Sequence, residues 1–379
     1  MAKTQYTYIE RKHSESGQTG TATYDLPEKG FLPEVIVKAY STPTASTNPA
    51  LPLSDAITKI EIIDGGTVIQ SLTGNQVKGL SMIRKYKTLG GLEINDNGAE
   101  GYDDFHILLG GVIDGKWYAP DMSTFSNPQI RITWDYSQTT TEFGMSCDAD
   151  TSPAMKFSVI GKILREPGPY THGYIKSSVL KEFTQATSTT TVTEIPRGQM
   201  LLGLGVEAGY DAKDFTDDVN QIKLDFDNGD WVPFEFYQEE IITSQQAWFG
   251  GPFEYSWIAD AIDDKEFDSH MGFLNFIVCM ASSNAGRGFE WQAIRKGVET
   301  LGMWDLATPS TISSYESVYF KSVGYAPFHI WYCPMKAILG DEASLIDTTE
   351  FSRIELETTS SSNASTSSTP DIIAEYLVT

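Results

Sequence analysis

Apolar residues recur at every second position through much of the chain, and one such stretch is written twice. Residues 21–39 read TATYDLPEKGFLPEVIVKA, and residues 190–208 read TTVTEIPRGQMLLGLGVEA. With Pro27 laid on Pro196, Leu26 meets Ile195, Leu32 meets Leu201, Val35 meets Leu204, Val37 meets Val206 and Ala39 meets Ala208. A second landmark follows in both halves. ITKIEIIDGGTVIQSL, residues 57–72, and VNQIKLDFDNGDWVPFEF, residues 219–236, each read as strand, Gly-containing turn, strand, the signature of a hairpin. Ile60 and Ile62 alternate in one, Ile222 and Leu224 in the other.

The period then changes from two to about three and a half. Val77, Leu80 and Ile83 lie on one face of a short helix that runs toward Gly90-Gly91, and Ile241, Gln245 and Trp248 do the same before Gly250-Gly251. Paired glycines supply the positive-φ stop of a helix. Each half closes on two strands around a polar loop: QIRITWDYSQTTT and TSPAMKFSVIGKIL in the first, FSRIELETTSSS and STPDIIAEYLV in the second, with Pro153 matching Pro370. Four landmarks in one order mark a tandem duplication of an all-β unit.

The spacing also locates an excess. The second copy is longer by about 60 residues within 252–350, an excursion expected in a loop region at one end of the unit. GRGFEWQAIRKGVETLGMWDL, inside it, is expected to be a helix. The Ser/Thr tract 358–369 is expected to be a long mobile hairpin loop rather than a free tail, because a strand-like segment follows it. Its sequon, Asn363-Ala364-Ser365, carries little weight without a signal peptide.

Short strands separated by Gly, Asn-Gly, Pro and Thr-rich turns indicate a sandwich or barrel. A short helix at the same place in both copies fits an eight-stranded jelly roll better than an immunoglobulin sandwich, so the expected fold is all-β, two tandem jelly rolls with short helices in the loops. The expected organisation is an N-terminal arm over 1–20, a first roll over 21–165, a linker over 166–189 and a second roll over 190–379 carrying the insertion. The join REPGPYTHGYIKSSVLKEF is short, which places the rolls side by side.

Composition narrows the partners. At 379 residues, 40% hydrophobic and 12% aromatic, the chain has material for two cores, and its net charge of −24 argues against a surface that binds nucleic acid directly. No run approaches a membrane helix in length, and no apolar core of signal-peptide type follows the start. Cys147, Cys279 and Cys333 are scattered, as small core residues are, rather than spaced as a disulfide or zinc framework.

Candidate chemistry is sparse. His13, His106, His172, His270 and His329 do not cluster at metal-ligand spacing, and the common nucleophile, zinc and phosphate motifs are absent. Asp225, Asp227 and Asp230 in DFDNGDW miss the order of a calcium loop and fit a hairpin turn. The acidic segment DAIDDKEFDSH, 260–270, reads as a solvated loop. No catalytic, cofactor-binding or metal-ligating residue is assigned, no cofactor is expected, and the chain is not expected to be an enzyme.

The segments ITKIEIIDGGTVIQSLTGNQVKGL, WYAPDMSTFSNPQIRITWDY and FSRIELETTSSSNASTSSTPDIIAEYLVT resemble the double jelly-roll major capsid proteins of tailless icosahedral viruses, many of which enclose an internal membrane. The resemblance spans nearly the whole chain and is one of pattern and order. It implies homotrimers of six-sided outline that tile an icosahedral virion shell, with penton or minor capsid proteins as neighbours and synthesis in the host cytoplasm. It also implies that the 252–350 excess forms an outward tower, and that Lys3, Arg11 and Lys12 on the arm reach toward lipid or a neighbouring subunit. The alternative reading is a carbohydrate-binding or glycosidase-type β-sandwich, with Trp248, Trp257 or Trp291 as sugar-stacking platforms.

Overall fold

The computed structural model describes residues 3–17, 19–41, 53–85, 93–95, 101–135, 155–165, 170–184, 186–208, 215–259, 265–268, 271–283, 289–295, 300–303, 315–340, 343–366 and 368–379. In the first half, β1 (Thr4–Glu15), β2 (Thr19–Asp25), β3 (Phe31–Ser41), β4 (Lys59–Asp64), β5 (Thr67–Leu72), β6 (Gly101–Leu108), β7 (Pro128–Asp135) and β8 (Met155–Leu164) build two sheets. Their orders are β1-β8-β3-β6 and β2-β7-β4-β5.

The second half repeats this with β9 (Tyr174–Glu182), β10 (Thr190–Glu194), β11 (Met200–Glu207), β12 (Gln221–Phe226), β13 (Trp231–Tyr237), β14 (Ile330–Pro334), β15 (Ile354–Thr359) and β16 (Asp371–Val378). Its sheet orders are β9-β16-β11-β14 and β10-β15-β12-β13. In both halves the first strand lies beside the last, then the third and sixth; the second lies beside the seventh, then the fourth and fifth. That is jelly-roll order, and the chain is a double jelly roll.

Period-two patterning explains the faces. β6 and β7 alternate buried and half-buried residues from end to end, so Ile130, Ile132 and Trp134 enter the first core with Val35, Val37 and Phe157. Antiparallel register sets Val37 opposite Val159 and Ile132 opposite Ile60. In the second roll Leu204 and Val206 of β11 lie opposite Ala374 and Ile372 of β16 and join Ile222, Leu224, Trp331 and Leu356 in a separate core.

The duplicated stretch proves to be the second and third strands of each roll. The strand before it, β1 or β9, lies in the segments assigned from sequence to an arm and a linker, and both assignments are corrected. The physical reason is that β1 is a sheet edge with few buried positions, so its polar pattern carries no core signal. Arg11 and Lys12 accordingly sit in a strand: the Arg11 guanidinium lies over Tyr8, and Lys12 N–H donates to Ser158 Oγ at 2.9 Å.

Two helices follow the fifth strands, α1 (Gly74–Lys85) and α2 (Glu239–Phe249). Gly250, at φ 78°, ends α2 with its N–H on Gln246 O at 2.9 Å; Gly90-Gly91 lie outside the described residues. The excess in 252–350 lies in the connection between α2 and β14 and is itself built of strands. Phe253–Ala259, Met271–Ser283, Phe289–Arg295 and Tyr315–Pro327 form one sheet, which also takes Glu93–Asn95 from the first roll. The helix expected over 286–306 is replaced by strands Phe289–Arg295 and Thr300–Met303; Phe289, Trp291 and Ala293 already alternate at period two.

The Ser/Thr tract is a tethered loop and not the hairpin expected, because the strands it joins, β15 and β16, lie in different sheets. Ser365 N–H and Ser368 Oγ donate to the Asp218 carboxylate at 3.2 and 2.6 Å, and Ser361 N–H donates to Asp217 O at 3.0 Å. Hydroxyl-rich sequence looks disordered because it has few apolar groups, yet here its hydroxyls and amides find buried acceptors.

Candidate functional site

The concentration of buried polar groups lies where the two rolls meet. At this seam β5 of the first roll runs parallel to β9 of the second, bridging at Ser71 and Ser178. The two sheets thereby become one that passes through both rolls. Helix α1 lies against this joint, and it is buried around most of its circumference. An apolar stripe alone would bury one face; burial on both sides leaves its polar residues little water, so they take protein partners, some within the first roll and some across the seam.

Four such partnerships follow one another along α1. Gln76 Nε2 donates to Glu207 Oε2 at 2.6 Å and to Asp371 Oδ2 at 2.7 Å. Lys78 pairs with the fully buried Asp103, and its ammonium donates to Tyr255 Oη at 3.3 Å under the rings of Phe105 and Phe328. Arg84 pairs with Glu375, with Nε 2.9 Å from Oε2. Lys85 pairs with Glu34, which also meets His106 Nδ1 at 2.7 Å and Lys162 Nζ at 3.6 Å.

Glu375 is the hub. It is fully buried in the middle of β16 and accepts from Ser177 Oγ at 2.8 Å and Tyr332 Oη at 2.6 Å besides Arg84. Burial and then the Glu375 charge push the Tyr332 hydroxyl well above its usual range. Gly203 makes room for that hydroxyl: a Cβ there would meet Tyr332 Oη at 1.9 Å. Gly79 likewise lets α1 approach the second roll, since a Cβ would lie 2.7 Å from Pro327 O.

The carboxylates divide by environment. Burial, then the neighbouring Asp371, raises Glu207 to about 8; burial raises Asp371 to about 6. Burial acts against Glu34 too, but hydrogen bonds from His106 and Lys85 overcome it and hold the carboxyl at about 2. For Glu207 and Asp371 the folded state binds protons more tightly than the unfolded, so their stabilisation is full below the unfolded values of 4.5 and 3.8 and is lost as pH rises through the folded ones. Glu34 acts in the opposite sense, losing its contribution as pH falls from 4.5 toward 2. A Glu207→Gln variant is expected to gain on the order of 1–3 kcal/mol at pH 8.5, since it removes an unfavourable buried charge, and to flatten the fall in Tm between pH 5 and 8.5. Calorimetry across that range checks it.

The residues singled out from sequence are dispersed. His13 lies on β1 near Glu10 and Glu15, His106 on β6, exposed His172 near Asp121 at 3.7 Å, and buried His329 in the turn before β14; His270 lies outside the described residues. Among the described residues no group of His, Cys, Asp or Glu is placed to hold a metal ion. Asp225 and Asp227 build the hairpin turn between β12 and β13: Asp225 Oδ1 accepts from Gly229 N–H at 2.6 Å, and Asp227 Oδ1 accepts from Ser352 and Arg353 N–H at 2.6 and 2.9 Å. Of the segment 260–270, only strand Lys265–Asp268 is described. Cys333 is buried, and burial raises its thiol; Cys147 and the Cys279 side chain lie outside the described residues. Trp248 packs against Phe234, Phe236 and Trp331 within the second roll rather than standing as a platform, and the side chains of Trp257 and Trp291 lie outside the description. Sequence reasoning missed Gln76, Lys78, Arg84 and Glu375. The available signal was charge inside otherwise apolar patterns, namely Glu375 within DIIAEYLV and Lys78 within QVKGL.

No protein-family profile matches the chain, and no curated protein matches it. Among solved structures it is similar to the major capsid protein P2 of bacteriophage PM2, at 12% identity and a TM-score of 0.49 over 99% of this chain and 97% of that one. It is similar to PBCV-1 VP54, at 10% identity and 0.48 over 100% and 94%. It is also similar to a chain of Sulfolobus turreted icosahedral virus, at 12% and 0.47 over 85% and 90%. The strand order in both halves defines the fold independently of these likenesses.

Proposed function

We propose that the chain is the major capsid protein of a tailless icosahedral virus, and that three copies close into a six-sided capsomer that tiles the virion. The observation that carries this reading is a sheet edge left open in each roll. Within one chain, β5, the fifth strand of the first roll, takes β9, the first strand of the second, alongside it. The equivalent strands, β13 and β1, are sheet edges among the described residues. Both expose large side chains there: Tyr6 and Tyr8 on β1, Val232 and Tyr237 on β13.

An open strand edge is a template for another chain. A β13 edge that receives β1 of the next copy would repeat between chains the contact already made within one. Such a head-to-tail contact is heterologous and closes into a ring when its rotation allows; with two rolls per chain, three copies give six rolls. Penton and minor capsid proteins are the expected neighbours of the tiles, and an internal membrane is a further one. The sheet built from 253–327 and Glu93–Asn95 is the candidate outward tower. The virion is the site of action, after synthesis in the host cytoplasm.

Light scattering of the purified protein is expected to give about 126 kDa, three times the 41.9 kDa chain, with six-sided outlines in negative stain. A Tyr6→Lys/Tyr8→Lys/Val232→Lys variant is expected to stay folded and run as a monomer, since charge on an edge blocks pairing. A wild-type chain that remains monomeric at high concentration and binds a glycan array would sink the capsid reading in favour of the carbohydrate-binding one.

A further inference from the structure

The last turn of α1 opens onto a cavity of about 380 Å³ between the rolls. The connections β2–β3, β4–β5 and β6–β7 are tied together by Met122 N–H to Gly30 O at 2.9 Å and Gly65 N–H to Asn127 O at 3.3 Å, and the cavity is lined by Pro33 of β3 and by Gly110–Ile113 of the β6–β7 connection. The second roll contributes Leu202, Phe249, Tyr332 and Lys336.

The lining is sorted by polarity. Ile83, Ile113 and Ile175 are buried and form an apolar floor, while Val112 and Trp117 are half exposed at the lip. The charges on the lining are unbalanced. Lys85, Lys162 and Lys336 stand against one carboxylate, Glu34, and Glu34 already serves Lys85, Lys162 and His106 together. Arg84 is committed to Glu375. A surplus of cations beside an apolar hollow is the reverse of a chain whose net charge is −24.

We infer that this cavity is a binding site for a single-chain anionic amphiphile, a fatty-acid carboxylate whose acyl chain enters between Ile83, Ile113 and Ile175 and whose head group meets Lys162 and Lys336. The size and the mainly apolar lining with a few convergent polar groups are those of a small-molecule site, which favours an acyl chain over a peptide segment. Charge complementarity selects the carboxylate, since Lys162 and Lys336 are half-buried and exposed respectively and so available to a head group at the mouth. The inference does not rest on the assembly reading, because every wall of the cavity belongs to one chain.

Titration calorimetry below the micellar range tests it, with dodecanoate and dodecyltrimethylammonium as probes of equal chain length and opposite charge. Dodecanoate is expected to bind the wild type at one site per chain, at least tenfold more tightly than the ammonium. Leu202→Trp, which fills the cavity, is expected to abolish binding. Lys162→Gln/Lys336→Gln, at the mouth, is expected to weaken dodecanoate at least tenfold while leaving the ammonium unchanged. The native mass of every variant is expected to equal that of the wild type, so a failure of ligand binding is separable from a failure of assembly. No binding of dodecanoate to the wild type, equal binding of the two amphiphiles, or full binding by both variants would each overturn the assignment. So would displacement of dodecanoate by an acidic, leucine-containing peptide at lower concentration than by decanoate.

Discussion

An Arg84→Met variant is expected to lose about 3–5 kcal/mol of stability, the range for stripping one partner from a buried ion pair. The loss comes from what remains. Glu375 is fully buried and would keep only Ser177 and Tyr332 as donors, so its charge would sit in a low-dielectric interior without a counter-charge. Arg84 also donates to Leu108 O at 3.3 Å, and that bond goes too. Because α1 belongs to the first roll and Glu375 to the second, the variant tests coupling between them: urea unfolding is expected to split from one transition into two. Adding Glu375→Leu to Arg84→Met is expected to recover part of the loss, since a buried pair replaced by apolar groups is often neutral. A single-variant loss below about 1 kcal/mol would place the pair among those that count for little.

Trp331→Ala is expected to cost about 3–5 kcal/mol, as removal of a large buried aromatic does. Trp331 has no exposed surface and stands at the centre of an aromatic cluster, 5.7 Å from Phe234 and 5.5 Å from Trp248 between ring centroids. Its Nε1–H donates to Ser244 Oγ at 3.0 Å, so truncation leaves both a cavity and a buried hydroxyl short of its donor. The same cluster fixes α2 on the second roll, through Trp248 and Ser244. Melting followed by tryptophan fluorescence is expected to show a Tm lower by roughly 10 °C, by the scaling of about 2–4 °C per kcal/mol in larger domains. A drop of only one or two degrees would mean that the roll repacks around the gap.

Local periodicity was enough to find the two rolls. Alternation along residues 31–39 and 200–207, the Gly turns of two hairpins and two short helices after them each depend on neighbours a few residues apart, which is the range over which side-chain direction is fixed by the backbone. Those features recur in order because the chain is duplicated, so the number of units and the all-β class follow from the sequence. The first strand of each roll was not legible. β1 lies on an edge, where its polar residues meet solvent, and β9 lies in the joint, where its Ser177 donates to Glu375.

The seam and the cavity were decided by tertiary structure alone. Arg84 and Glu375 are separated by 291 positions, and Gln76 and Asp371 by 295; no local pattern relates them. A lysine or glutamate in sequence reads as solvated, since a charge is buried only when a partner offsets its desolvation, and for Glu375 that partner, Arg84, is supplied by the other roll. The inserted strands follow the same rule. Their alternation is local, but that they join Glu93–Asn95 from the first roll in one sheet depends on where the duplicated units place their matching connections.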